Sequence, residues 1–174
     1  TLDHAETTSL RKKMATSSWA DALLTALLGK TGEQLVDRDR DPTDADDEPD
    51  LLFVRKFVLD NILKAYKDAS ASNEPLDVKY ARMLSLADLI NHIMSKETPS
   101  VATDPSVSNR STQQLRRIMF DKGFIAALTG SIADIDLNFP GAKRAVKHIL
   151  RPLKNLTQTA IELSDTGKIT IPPG

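Results

Sequence analysis

The chain has 174 residues, 40% apolar and only 5% aromatic, and 23 Lys and Arg against 24 Asp and Glu give a formal net charge of −1. Such a length fits one domain or a piece of one with a real core, and a balance rich in Leu, Ile and Ala suits packed helices better than a sandwich or barrel. Near-neutrality offers no bulk argument for nucleic acid or membrane, and the absence of cysteine removes disulfides, thiolate zinc sites and cysteine nucleophiles.

No run approaches the roughly 20 apolar residues of a membrane span. The opening stretch TLDHAETTSLRKKMATSS lacks the apolar centre of a signal peptide. It also lacks an initiator methionine, as expected of a piece of a longer chain. An intracellular home, cytoplasmic or nuclear, is the expected localisation, and the absence of cysteine is compatible with it.

Residues 1–36 form an N-terminal unit with one helix or more. Residues 1–16 read as a loop or a weakly determined helix, and SWADALLTALLG reads as a short helix from a Ser17 or Ser18 cap to Gly29. Trp19, Leu23, Ala26 and Leu27 share a side, and Trp19, the sole tryptophan, is expected in the core. Residues 37–50, DRDRDPTDADDEPD, set eight acids against two arginines. That is a solvated linker, and without a central glycine it is no calcium loop.

Residues 51–96 carry two long apolar helices. The first, after an Asp50 cap, has the stripe Val54, Phe57, Val58, Ile62 and Tyr66, widened by Leu51, Leu59 and Leu63. The second starts at the ASNEP break, with Leu76, Tyr80, Met83, Leu84, Ala87, Ile90 and Met94 in phase. A short connection makes them an antiparallel αα-hairpin. Residues 97–112 are a Ser/Thr/Pro-rich connection. Residues 113–166 hold a short helix ending at Gly123, a second from Phe124, and a long helix from about Ala142.

That last helix shows Ala142, Val146, Ile149, Leu150, Leu153, Leu156, Ala160, Ile161 and Leu163 as its apolar stripe, unbroken in phase across Pro152. A kinked continuous helix is predicted. Residues 167–174 are a tail. Helix pairs that cannot bury their faces alone predict an all-α fold, stacked as an armadillo- or HEAT-like α-solenoid segment, with a compact irregular bundle as the alternative.

Each catalytic template fails. There is no Gly-rich phosphate loop, no G-x-S-x-G elbow, and His4, His92 and His148 are scattered rather than paired as zinc ligands. Asp60, Asp68, Asp77 and Asp88 read as isolated charges, and Asp134 and Asp136 as helix-capping residues rather than a metal pair. No catalytic, cofactor-binding or metal-binding residue is assigned, and no cofactor is expected. Arg110, Arg116, Arg117, Lys122, Lys143, Arg144, Lys147, Arg151 and Lys154 would attract phosphate if they shared one surface. Without interleaved aromatics or a helix-turn-helix, no nucleic-acid site is predicted. A solvated helix face is the plainer reading, with the acidic 37–50 stretch as a conceivable intramolecular partner.

Two stretches carry a resemblance: FVLDNILKAYKDASASNEPLDVKYARMLSLADLINHIM from Phe57, and FDKGFIAALTGSIADIDLNFPGAKRAVKHILRPLKNLTQTAIELS from Phe120. The SNEPLDVKYARMLSLADL run and the D-x-N-F-P…ILRPL-x-x-LT run from Asp136 to Thr157 join a pre-proline turn, a helix start and a mid-helix proline in one order. Together they resemble a region of the giant HECT-type E3 ubiquitin ligases, the animal family with HECT, UBA and WWE domains and its fungal and plant relatives. The resemblance covers about half the chain and leans fungal.

It implies a ring-shaped solenoid of armadillo-like repeats ending in a HECT domain, which carries ubiquitin as a cysteine thioester. With no cysteine here, that residue maps to no position. The resemblance therefore implies a scaffold segment whose partners are the rest of the same ligase chain and, through it, ubiquitin and protein substrates. The alternative is a free-standing helical adaptor that binds acidic or phosphorylated partners through the Lys143–Lys154 face.

Overall fold

A computed structural model describes residues 2–29, 49–95 and 105–165. They form six helices and, among the described residues, no strand: α1 (Leu2–Leu28), α2 (Pro49–Ala71), α3 (Leu76–Ser95), α4 (Pro105–Asp121), α5 (Phe124–Ala133) and α6 (Ala142–Asp165). The all-α expectation holds. The acidic run through Glu48, residues 96–104 and the tail from 166 lie outside the described residues.

α1 is one continuous helix, so of the two readings of residues 1–16, a loop or a weakly determined helix, the helix is the one seen, and it joins the predicted short helix without a break. Residues 6–20 are all exposed, so no apolar stripe marks them. Strong helix formers such as Leu10, Arg11, Lys12, Lys13, Met14 and Ala15 continue the ladder unaided. Only the last turns dock, through Leu24 and the buried Leu28. Trp19 is corrected from core to surface, at 77% exposure, with Leu23 and Leu27 beside it at 61% and 46%.

α2 and α3 pack against each other as a helical hairpin. Its turn is tied by Ser72, whose Oγ accepts from Glu74 N–H at 3.0 Å, and by Arg82, which donates to Glu74 Oε2 at 2.7 Å. Hydrogen bonds from Arg82 first and then Ser72 hold the Glu74 carboxyl below its ordinary pKa. α2 buries Val58, Leu59, Ile62, Leu63, Tyr66 and Ala69. Phe57 is corrected from that stripe to solvent, where it lies with Phe53, their rings stacked at 6.3 Å.

α4 starts at Pro105, inside the Ser/Thr/Pro-rich connection, because proline suits a first helical turn where no N–H partner is needed. It ends as expected near Gly123, whose φ of +82° reverses the chain into α5.

α6 organises the rest. It runs unbroken through Pro152 and packs most extensively on α3, and also on α5 and α4. Along one line it buries Ala142, Ala145, Ile149, Pro152, Leu156 and Thr159, spaced alternately three and four, with Ala160 buried beside the last of them. α3 buries Tyr80, Met83, Ala87, Ile90 and Met94 at the same spacing, the pattern of two helices meshing along a seam. Lateral bonds fix their direction. Tyr80 meets Phe139 edge-on at 5.5 Å, Asp88 pairs with His148 at 2.6 Å, and Asn155 donates to Asn91 at 3.2 Å. Positions rise together on both helices, so α3 and α6 run parallel. The predicted stripe is thereby rotated: Leu150 and Ile161 are 48% and 55% exposed, while Ala145, Pro152 and Thr159 are buried. The side chain of Leu163 lies outside the described residues.

Two arginines close the body. Buried Arg55 on α2 donates from Nε to the Leu28 carbonyl at 3.0 Å and from a guanidinium nitrogen to Gln114 Oε1 on α4. Arg116 on α4 donates to the Met94 carbonyl at 3.1 Å. Each satisfies a carbonyl that a helix C-terminus leaves without an internal partner, and places positive charge where the helix dipole is negative.

Two outcomes test this packing. Leu156→Ala should cost about 2–5 kcal/mol of unfolding free energy, as a buried seam position, whereas Leu150→Ala should stay within about 0.5 kcal/mol. Denaturant titration separates them, and equal losses would refute the rotated stripe.

The second concerns Tyr66, whose hydroxyl lies 2.7 Å from Ser131 Oγ. Burial pushes its ionisation above the ordinary value of 10.0, partly offset by that bond. Because the folded pKa is the higher one, this stabilisation is complete below the unfolded value and is lost as pH rises through the folded value. The stability gap between wild type and Tyr66→Phe, about 0.5–1.5 kcal/mol at neutral pH, should therefore shrink on titration above pH 10.0. A gap constant with pH would contradict it.

Candidate functional site

The outward side of α6 carries a groove. The turn before the helix is pinned: Asp136 N–H donates to Tyr80 Oη at 2.8 Å, and Asp136 Oδ1 accepts from Asn138 N–H at 3.0 Å. Gly141 then supplies the carbonyl for Arg144 and Ala145 N–H, each at 3.1 Å. This places Leu137, 69% exposed, beside the first turns of α6. With Val146 and Leu150 it makes an apolar floor flanked by Lys143, Lys147, Arg151 and Lys154, a shallow and largely open groove of about 430 Å³.

The electrostatics run against local preference. Residues 137–161 contain no Asp or Glu. Lys143, Lys147 and Arg151 succeed one another at intervals of four, where like charges destabilise a helix by about 0.2–0.5 kcal/mol per pair. Lys143 and Arg144 also sit in the first turn, at the positive end of the helix dipole, with no acid there to balance them. None of the four groove cations makes an ion pair among the described residues. The arrangement offers an aliphatic strip inside a ring of unneutralised positive charge.

The wider basic set does not assemble into one face. Arg116 turns inward to the Met94 carbonyl, and Lys122 pairs with Asp60 at 2.5 Å. Arg117 is exposed, and the side chain of Arg110 lies outside the described residues. The histidines stay apart: His92 pairs with Asp21 at 3.0 Å and His148 with Asp88, while the side chain of His4 is not among those described. Asp60 and Asp88 are therefore not isolated charges. Their partners lie 62 and 60 positions along the chain, beyond the reach of local spacing. Asp134 is the C-cap residue of α5, whereas Asp136 caps neither helix and instead holds the connecting turn through Asn138 N–H. Among the described residues no three His, Asp or Glu side chains gather as metal ligands, and no helix is long and apolar enough to cross a membrane.

The groove floor is the part that sequence reasoning misses. Periodicity puts Leu150 in the core, and gives Leu137 no role beyond flanking the two aspartates. The signal lies in the acid-free stretch, where a leucine at position 150 falls midway between lysines at 147 and 154 on one helical face.

Comparison with known proteins gives close relatives over most of the chain. It is 47% identical over 170 residues to the E3 ubiquitin-protein ligase TOM1-like protein of Neurospora crassa, covering 94% of this chain and 4% of that protein. It is 36% identical over 163 residues to the E3 ubiquitin-protein ligase ptr1 of Schizosaccharomyces pombe, covering 94% and 5%. Identity is 25% over 124 residues to the E3 ubiquitin-protein ligase TOM1 of Saccharomyces cerevisiae, covering 70% and 4%. The chain thus spans about one twentieth of these relatives. No family model matches it, and no solved structure matches it.

The charge pattern predicts a stabilising surface substitution. Lys147→Glu would exchange two like-charge contacts, to Lys143 and Arg151, for two attractive ones, and should raise stability by about 0.5 kcal/mol at low salt. Thermal melts at low and high salt measure it. A decrease would show that Lys147 is already neutralised.

Proposed function

The chain is homologous to a segment of the giant fungal HECT-type E3 ubiquitin ligases TOM1 and ptr1, and from that relationship we propose that it is a non-catalytic helical scaffold segment of such a ligase. In this reading the parent chain is an intracellular ubiquitin transferase, cytoplasmic or nuclear. The ubiquitin thioester forms elsewhere in it, since no cysteine is present here. The segment holds part of a ring-shaped armadillo- or HEAT-like solenoid and helps present protein substrates for transfer.

The observation that carries the reading is apolar surface left open on two helices. α1 shows Trp19, Leu23 and Leu27 on one face, and α2 shows stacked Phe53 and Phe57 at 70% and 61% exposure. Aromatic side chains this open on a small folded unit mark an interface. In relatives of which this chain covers only 4% and 5%, further helices of the same chain would cover them. The hairpin α2–α3 facing the α4–α6 group through a parallel seam is also the arrangement that two successive layers of a helical stack would present. The second reading, an adaptor acting through the basic face, is favoured by the unneutralised groove on α6.

The test uses the full-length natural protein that contains this segment. Trp19→Asp combined with Phe57→Asp should open protease cleavage sites near α1 and α2 and reduce ubiquitin transfer to substrate by about tenfold. Thioester formation at the distant catalytic cysteine should persist. A natural protein of only 19.1 kDa, or a doubly substituted ligase with unchanged proteolysis and transfer, would overturn the scaffold reading.

A further inference from the structure

We infer that the α6 groove is a docking site for an acidic helical segment of a protein partner, one that carries aliphatic side chains on the same face as its carboxylates. The inference goes beyond the scaffold reading and does not depend on it. Two features argue for this occupant together. The floor of Leu137, Val146 and Leu150 is aliphatic and open, so it gains by covering with apolar side chains. The rim of Lys143, Lys147, Arg151 and Lys154 has no acid within ion-pair distance among the described residues, so it gains by meeting carboxylates.

From Lys143 to Lys154 the rim runs about 16 Å along the helix, roughly three turns. A partner helix laid along it would set leucine-like anchors on the floor at intervals of three and four, and glutamates against the rim. Nucleic acid fits less well. There is no aromatic platform for bases among the groove residues, and phosphates would leave the leucines uncovered.

Binding would also cancel the repulsion built into α6. Three cations at intervals of four, joined by Arg144 in the first turn and Lys154 at the far end of the rim, do nothing for the helix that carries them. Their electrostatics become favourable only against an acidic partner. This is the pattern expected where a local rule is broken for the sake of an interaction.

The experiment is a fluorescence-anisotropy titration of the full-length protein. The labelled probe is a synthetic peptide of about 16 residues, with Leu and Glu arranged on one helical face. Binding should be saturable. It should weaken about tenfold in Lys147→Glu/Arg151→Glu and again in Leu150→Ser, and fall as salt rises from about 0.05 to about 0.5 M. Lys64→Glu, on the exposed face of α2, should leave it unchanged. If the charge-reversed protein loses helix content by circular dichroism, Leu150→Ser with Lys154→Gln supplies the same reading.

Equal binding of a scrambled probe of the same composition would show attraction without a site and overturn the proposal. So would undiminished binding by the α6 variants. Preferential binding of single-stranded RNA or of phosphatidylserine vesicles, with displacement of the probe, would overturn it too and reassign the face to phosphate groups.

Discussion

The fold depends on a close parallel approach between α3 and α6. Along the seam the residues are small or flat at the places that matter: Ala87 on one side, Ala142, Ala145 and Pro152 on the other, all essentially without solvent contact. Small residues let backbones approach, and the larger Met83, Ile90, Ile149 and Leu156 fill the spaces between. Proline at such a position removes a donor that would otherwise bond the carbonyl of His148, and its ring presents a compact apolar surface to the neighbour. Because α6 also covers α4 and α5, an error in this seam would misplace both of the helices beneath it.

Polar side chains set the register of that packing more than its strength. Exposed or half-exposed pairs such as Asp88–His148 and Asp21–His92 are worth about 0.2–1 kcal/mol at most. Yet each joins two helices at one longitudinal position, Asp21–His92 between α1 and α3 and Asp88–His148 between α3 and α6, and a one-turn slip of the α3–α6 seam would break Asp88–His148 and Asn91–Asn155 together. The buried Arg55 belongs to another class. Its guanidinium lies inside the body, where a charge must find hydrogen-bond partners, and the Leu28 carbonyl and Gln114 are two of them. The tyrosines behave similarly on a smaller scale. Tyr66 reaches Ser131 and Tyr80 receives the Asp136 amide, so each joins the hairpin to the second half of the chain through a satisfied hydroxyl.

How much of this is legible in the sequence depends on which forces act locally. α2, α3, α5 and α6 are legible because each shows an apolar stripe at helical period with stops at Gly, Pro or a polar cluster. The first half of α1 is not, since exposed residues 6–20 have no packing pattern to display. The start of α4 is hidden in PSVSNRST, whose composition reads as a connection. The phase of α6 is misleading for a more instructive reason. Periodicity gives weight to leucines, but a close seam selects alanine, proline and threonine, and pushes Leu150 and Ile161 to the outside. Hydrophobicity alone turns Trp19 and Phe57 inward, whereas both stand open on these helices. The basic strip from Lys143 to Lys154 is visible, but its apolar floor requires knowing where the turn sets Leu137. The aspartate–histidine pairs and the arginine contacts, all made between residues distant in sequence, belong to tertiary geometry and leave no local trace.

The two arginine contacts also bear on the ends of the helices. Arg55 grips the end of α1 from the helix that comes after residues 30–48, and Arg116 grips the last turn of α3 from the helix that comes after residues 96–104. Each arginine therefore holds two helices at once, the one that carries it and the one whose terminal carbonyl it caps. A change at either position would loosen a helix end far away in sequence while leaving every local hydrogen bond of that helix intact.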